Sequence, residues 1–277
     1  MKTPRPEFEN PPVVEVALSV QFEPLAKLRC VQIGSLWSEF KDRFPQTEEH
    51  PPLEHVVEKF GLPPARRASV RFELLEEPPA PRVWFLNPEG TELVQIQQDR
   101  FVHNWRKQES CAPYPRYKSI RITFEEELRR FESFIIKHGL GDFAPDQCEV
   151  TYLNHIPAGE LWKSHGELSK IITCLSPAFS DDYLSAPQDI TLRQRHVILD
   201  GSGQPAGRLH IQANPGFRNR DNLPIFMLEL TARGRPLSTG IEGALAFLDL
   251  GREWVVRGFA SITTPEMHKE WKRQHGD

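Results

Sequence analysis

Residues 93–106, LVQIQQDRFVHNWR, place many side chains able to do chemistry within one short segment. Its first half alternates β-favouring apolar residues with glutamines, which predicts a strand. That strand runs without a break into a polar and aromatic stretch. Arginine and histidine bind anionic groups, and tryptophan offers a surface for stacking. The segment therefore predicts a recognition site that contains Asp99, Arg100, His103, Asn104, Trp105 and Arg106.

Two neighbouring segments extend this candidate site. A proline-containing loop adds Tyr114, Arg116 and Tyr117, and the next predicted strand, residues 148–156, adds Tyr152, Asn154 and His155. Between Asp99 and Arg121 six Lys or Arg residues face two acidic ones, so the region is locally cationic. The alternative interpretation is a buried hydrogen-bonded network between two halves of the molecule. The residue types alone fit both.

A catalytic interpretation of the same segment would use Asp99, His103 and His155 as acid–base groups, because histidine changes its charge near neutral pH. The two histidines could also form a metal pair, but the sequence shows no third ligand. Glycine-rich phosphate loops and the motifs HExxH, GxSxG and EF-hand do not occur. The sequence predicts no cofactor and no metal, and it favours a protein that is not an enzyme.

A second group of basic residues contains arginine and no lysine. Arginine favours planar, hydrogen-bonding recognition of phosphate over plain solubility, although a solvated strand face would have the same composition. The group comprises Arg193, Arg195, Arg208, Arg218, Arg220, Arg233 and Arg235.

Composition limits the class of protein. The formal net charge is −4 and hydrophobic residues make up 39% of the chain, so a nucleic-acid contact would need a local basic patch. No apolar run is long enough to cross a membrane, and the N-terminus lacks the apolar core of a signal peptide. The sequence therefore predicts a cytoplasmic protein without a membrane partner. It does not determine the oligomeric state.

The elements that must position these residues follow a repeated order, strand–helix–strand–strand–strand–helix. In the first half, residues 13–22, 68–75, 82–86 and 93–106 predict strands, and residues 31–44 and 119–138 predict helices. In the second half, residues 148–156, 190–199, 208–213 and 224–231 predict strands. Helices are predicted there over residues 160–175 and 238–262, with a short helical tail over residues 266–274.

This order predicts an α+β fold built from two pseudo-repeats, residues 1–145 and 146–277, packed as one continuous unit. Each half alone would leave an exposed sheet edge, which the other half covers. The expected product is a curved antiparallel sheet with its helices on one face and the other face open. In shape this resembles the saddle of TATA-binding-protein-like folds, which carries no functional implication.

Three segments resemble a known family. NPPVVEVALSVQFEPL near the start, VQIQQDRFVHNWRK in the middle and CEVTYLNHI at the half-way point are similar to a sporadically distributed, functionally uncharacterised bacterial protein family of about this length. The resemblance implies a bacterial, cytosolic protein and supplies no activity, cofactor or catalytic residue. Its patchy occurrence is compatible with a mobile or defence-related locus.

Three functions remain open on the sequence alone. The first is a binding module that recognises nucleic acid or a protein partner through the open sheet face. The second is an enzyme with a His/Asp acid–base site, and the third is a partner-bound subunit of a defence or regulatory system.

Overall fold

The computed structural model describes residues 4–61, 80–108, 113–176, 181 and 183–274. It is an α+β protein built on a nine-stranded antiparallel sheet. The strands of this sheet are β2 (Val13–Phe22), β3 (Gln46–His50), β4 (Arg82–Leu86), β5 (Glu92–Gln97), β6 (Arg100–Arg106), β7 (Pro145–Pro157), β8 (Leu192–Leu199), β9 (Pro205–Phe217) and β10 (Pro224–Gly234). A separate two-stranded sheet pairs β1 (Glu7–Phe8) with β11 (Arg273–Gln274). The helices are α1 (Cys30–Trp37), α2 (Arg116–Lys137), α3 (Gly240–Ile262) and α4 (Pro265–Glu270), with a 3-10 helix at His165–Lys170.

The strand order across the large sheet is β3-β4-β5-β6-β2-β7-β10-β9-β8. The two strands that open the halves, β2 and β7, pair with each other at the centre, and Leu18 lies opposite Val150. One sheet therefore passes through both halves of the chain. No helix in the described part of the chain is long and apolar enough to cross a membrane.

The helices pack on one face of this sheet, as alternation along the strands predicts. Phe101 of β6 contacts Phe124 of α2, and Phe22 of β2 contacts Phe131 two helical turns further along. Under α3 the fully buried residues of β7 and β10, such as Val150 and Leu228, continue the same layer. We call the opposite surface of the sheet the open face.

Close packing of α3 depends on two glycines that lie opposite each other on β9 and β10. A Cβ atom at Gly234 would come within 2.5 Å of the Phe247 ring, and one at Gly207 within 2.8 Å. Any side chain at either position would push the α3 ring away from the sheet. The two glycines thus set the distance between helix and sheet.

The predicted continuous strand over residues 93–106 is wrong in one respect. The chain reverses at Gln98 and Asp99, and the segment forms a hairpin of β5 and β6 in which Gln97 lies opposite Arg100. Neither turn residue has a positive φ, so the turn needs no glycine or asparagine. The usual sequence signal of a two-residue hairpin is therefore absent.

Two predicted helices differ from the structure. Residues 160–175 contain a 3-10 helix at His165–Lys170 in place of a full helix, because Gly166 lies against the main chain of Pro187, whose carbonyl oxygen a Cβ atom would meet at 1.9 Å. The predicted tail over residues 266–274 divides into α4 and β11.

A third predicted helix, over residues 31–44, ends at Trp37 as α1, and turns follow over residues 38–43. The remaining predicted elements within the described residues agree with the structure to within four residues, and α2 ends before Gly139 with its positive φ of 58°, as expected for a glycine stop. The predicted strand over residues 68–75 lies outside the described residues. After α1 the first half shows four strands, β3 to β6, because residues 46–50 of the proline-rich stretch form an edge strand.

Candidate functional site

Strand alternation divides the predicted site between two faces of the sheet. Successive side chains of a strand point to opposite sides, so a run of consecutive residues cannot form one surface. Toward the helices point His103, Trp105, Tyr152 and Asn154, and toward the open face point Arg100, Asn104, Arg106 and His155. Asp99 occupies the hairpin turn, and Tyr114, Arg116 and Tyr117 lie at or just before the start of α2.

His103 belongs to the core. Its side chain is fully buried, and its Nδ1 lies 2.7 Å from a carboxylate oxygen of Glu127 on α2. The other oxygen of Glu127 accepts a hydrogen bond from Arg43 at 2.9 Å. His103 therefore couples α2 to the sheet, and the contact stays within residues 1–145 and does not join the two halves.

The three acid–base candidates do not converge. His103 and His155 lie on opposite faces of the sheet, and Asp99 contacts neither. Burial lowers the pKa of His155, so its ring is neutral at neutral pH. Among the described residues no group of three His, Cys, Asp or Glu side chains is arranged to hold a metal ion.

Part of the open face is covered by residues 53–58, which we call the strap. The strap follows β3 and crosses the sheet over β5, β6, β2 and β7 in that order, as its contacts with Gln97, Arg100, Gln21 and Gln147 show. The strap contains no regular secondary structure. The prolines around it, such as Pro51 and Pro52, are typical of an extended segment, but no local pattern records that it lies on the open face.

Three buried glutamines hold the main chain of the strap. Gln97 accepts a hydrogen bond from the Leu53 N–H and donates one to the Leu53 carbonyl, both at 2.8 Å. Gln21 forms the same pair with Val56, at 3.1 Å for each bond. Each side-chain amide therefore acts as a neighbouring β-strand residue would.

The third glutamine, Gln147, accepts a hydrogen bond from the Glu58 N–H at 2.6 Å, and Arg100 donates one to the Glu54 carbonyl at 2.7 Å. Strand register puts Gln97, Arg100, Gln21 and Gln147 in one row across β5, β6, β2 and β7. We call these four residues the glutamine row. The row holds the strap mainly through main-chain atoms, and Gln21 also contacts the ring of His55.

A histidine of the strap anchors its middle. Nδ1 of His55 lies 2.9 Å from Asp99, and Nε2 lies 3.1 Å from Asp146 and 3.0 Å from the amide of Gln21. Each ring nitrogen of His55 thus lies within hydrogen-bonding distance of a carboxylate. Asp99, a predicted site residue, therefore binds a segment of its own chain.

Glu58 anchors the far end of the strap to the second half. Its carboxylate accepts hydrogen bonds from His210 at 2.6 Å and from Arg208. The guanidinium of Arg208 also covers the ring of Phe60, 4.4 Å from its centroid. Burial acts to raise the pKa of Glu58, but the hydrogen bonds from His210 and Arg208 outweigh it and lower the pKa below 4.5. The anchor is therefore charged at neutral pH.

Beyond the strap, a chain of hydrogen bonds crosses the open face. Arg82 donates to Gln95 at 2.8 Å, Gln95 to Asn104 at 2.7 Å, and Asn104 to Glu15 at 2.6 Å. Burial raises the pKa of Glu15, partly opposed by Asn104 and Arg106. Asn104 is thus a member of a structural network on this face.

Arg106 takes part in a stacked group at the same side of the sheet. The guanidinium groups of Arg82 and Arg106 each lie 5.4 Å from the ring of Trp84, and the His50 ring stacks on that indole at 3.9 Å. Trp84 and His50 were not among the predicted site residues. Their signal is weak, because each is a single residue within an otherwise ordinary strand.

The remaining candidates line a groove and a cavity beside the sheet. Trp105, Tyr114, Arg116 and His155 line a groove of about 1620 Å³ that runs along residues 9–14. Tyr114 and Arg116 also line a smaller cavity between α2 and α3, together with Tyr117, Tyr152 and Asn154. The structure thus brings five of the twelve candidates to one cavity and separates them from the open face.

Comparison of the sequence with protein-family models and with the curated proteins finds no match. The resemblance to a sporadically distributed bacterial family stays a prediction.

Proposed function

We propose that this chain is a non-enzymatic binding module that holds an extended segment of a protein partner on its open face. The observation that carries the proposal is the glutamine row, which already holds five main-chain groups of the strap through glutamine amides. A surface that binds main-chain N–H and C=O groups accepts an extended polypeptide of varied sequence. The strap would then occupy the site until a partner replaces it.

The energetics allow such an exchange. A hydrogen bond of this kind contributes about 0.5–1.5 kcal/mol net, and a partner segment would restore each bond that the strap gives up. The strap is tethered, so it competes at an effective concentration on the order of millimolar. A partner must therefore add contacts of its own, and the exposed parts of the open face are where they would form.

The test uses a fluorescent peptide with the strap's own sequence, residues 51–60, PPLEHVVEKF. The protein carries His55→Ala and Glu58→Ala, which weaken the strap and leave the glutamine row intact. We expect fluorescence anisotropy to show at least tenfold tighter peptide binding than in the wild-type protein, about 1.4 kcal/mol. Adding Gln21→Ala to this variant should reverse the gain.

The control is chemical. N-methylation of the peptide at the residues equivalent to Leu53 and Val56 removes two of the three N–H groups that donate to the glutamine row, and should abolish binding. N-methylation at the residue equivalent to Val57, whose side chain is 46% exposed, should have little effect. Equal binding of all three peptides, or no binding to a weakened variant that still unfolds cooperatively, would contradict the proposal.

Nucleic acid is the second candidate, and the exposed arginines of β8 favour it. Arg193 and Arg195 lie on this edge strand, in register with Gln212 and His210 of the open face. Phosphate contacts release counterions, so binding to single- or double-stranded DNA should weaken steeply with salt. Arg193→Ala with Arg195→Ala should reduce that salt dependence. If DNA does not bind, or binds with no dependence on salt, nucleic acid is ruled out as the ligand and the protein partner remains.

The proposal includes a duplicated architecture, with residues 1–145 and 146–277 as two copies and a saddle-like curvature. What supports it is the order of the central strands: β5-β6-β2 on one side of the centre corresponds to β9-β10-β7 on the other. Each half also ends in a long helix, α2 or α3. A cytoplasmic role as a subunit of a defence or regulatory system is compatible with such a module.

A further inference from the structure

A second site lies away from the open face, in the cavity between the start of α2, the middle of α3 and the segment around β1. Its volume is about 290 Å³. Apolar side chains from the sheet and α3 form its floor, including Val13, Leu230, Val255 and Phe259. Cavities of about 150 Å³ already accept benzene, and small-molecule pockets begin near 300 Å³. The cavity is therefore large enough for a small organic molecule.

Polar groups line one side of this floor. The hydroxyl groups of Tyr114 and Tyr152 lie 3.0 Å apart, and the guanidinium of Arg252 covers the ring of Tyr117 at 5.2 Å. Burial raises the pKa of all three tyrosines, so their hydroxyls stay protonated. The Tyr117 hydroxyl donates to Asp249 at 2.8 Å, and one hydroxyl of the Tyr114–Tyr152 pair donates to the other. The second hydroxyl of that pair has a proton to donate to an acceptor atom of a ligand.

Arg252 supplies the charge. Within the part of the chain that the structure describes, its Nε is buried and has no hydrogen-bond partner, as is also true of Arg82, Arg100 and Arg106. What distinguishes Arg252 from these three is its position in the wall of the cavity. Three cationic residues line the cavity, Arg116, Lys118 and Arg252, against a single acidic one, Glu7. An anion would be attracted there.

A strained residue holds the entrance. Arg116 has a φ of 68°, which is unfavourable for a side-chain-bearing residue by about 1 kcal/mol. Its guanidinium donates to the carbonyls of Phe8 at 2.9 Å and Glu9 at 3.3 Å. Phe8 lines the cavity, so this contact fixes the segment that closes it.

We propose that this cavity binds a small amphipathic carboxylate, with its anionic group on the Arg252 guanidinium and its aromatic or aliphatic group on the apolar floor. The site is separate from the glutamine row, and a ligand there would join α2, α3 and the N-terminal segment. This inference does not depend on the proposed peptide-binding function.

The test compares two probes of the same shape, 3-phenylpropionate and the neutral 3-phenylpropan-1-ol, by ligand-observed saturation-transfer NMR on the full-length protein. We expect the carboxylate to bind at least tenfold more tightly than the alcohol. Arg252→Met, which keeps the length of the side chain and removes its charge, should abolish this preference. Arg252→Lys should retain part of it.

The matched control is Arg257→Met on the same helix. Arg257 pairs with Glu253 and does not line the cavity, so carboxylate binding should not change. A cavity-filling change, Val256→Phe, should weaken both probes equally. Equal affinity for the two probes, no binding of either at millimolar concentration, or an equal loss in the Arg252 and Arg257 variants would overturn the proposal.

Discussion

At the residue scale, the two sides of the sheet treat polar side chains differently. On the helix side, His103 and Glu127 are both buried and partner each other, so neither can be changed without leaving the other in an apolar layer. On the open face, Asn104 and Glu15 share a hydrogen-bonded network that extends to Arg82 of β4. Neighbours in sequence thus have separate roles.

Glu127 provides the test at this scale. Glu127→Ala leaves the imidazole of His103 buried without its carboxylate, and removing one partner of a buried pair typically costs about 3 kcal/mol. The free energy of unfolding from urea denaturation measures this. Glu126→Ala, one exposed position away on α2, should change it by less than about 0.5 kcal/mol. If both variants lost the same stability, the buried pair would not be the cause.

At the scale of elements, the strap depends on side chains from strands of both halves. Its main chain is held by Gln21, Gln97 and Gln147, and its middle and far end by charged side chains. These contacts are more polar than those of α2 or α3, whose faces are apolar. The strap should therefore be the element most sensitive to pH.

Glu58 sets the direction of that dependence. Because its pKa in the folded protein lies below 4.5, its charged form contributes stability at neutral pH that is lost as the pH falls through that lowered pKa. We expect the hydrogen-exchange protection factors of the Val56 and Glu58 amides to fall in acid at a higher pH than those of β2. In Glu58→Gln these protection factors should already be low at neutral pH and show no step as the pH is lowered. An unchanged pH profile in this variant would assign the step to another group.

At the scale of the whole molecule, the central pair of β2 and β7 makes both halves parts of one sheet. Trp37, Trp84 and Trp105 report on the first half, and Trp162, Trp254 and Trp271 on the second. We expect fluorescence and circular dichroism to show one coincident unfolding transition, since separating the halves would expose the edges of β2 and β7. In the variant with the first three tryptophans replaced by phenylalanine, the fluorescence of the other three and the circular dichroism should still give one common midpoint. Two separate midpoints would contradict a single unit.

Sequence patterns worked where the physical signal is local. Alternation gave β2 and β4 their observed bounds, and Gly139 marked the end of α2. They failed at the Gln98–Asp99 turn, which needs no positive φ and so leaves no signature. They also failed at residues 160–175, where apolar spacing suits a helix but contact with Pro187 shapes the chain.

The sequence by itself determined the α+β class, most of the strands and the two long helices, because hydrophobic periodicity acts over a few residues. Only the tertiary structure decided which candidates share a surface. Alternation sends Arg100 and His103 to opposite faces, and strand order brings Gln21, Gln97 and Gln147 into one row from distant parts of the chain. The strap and the cavity depend on such long-range contacts, which no local pattern records.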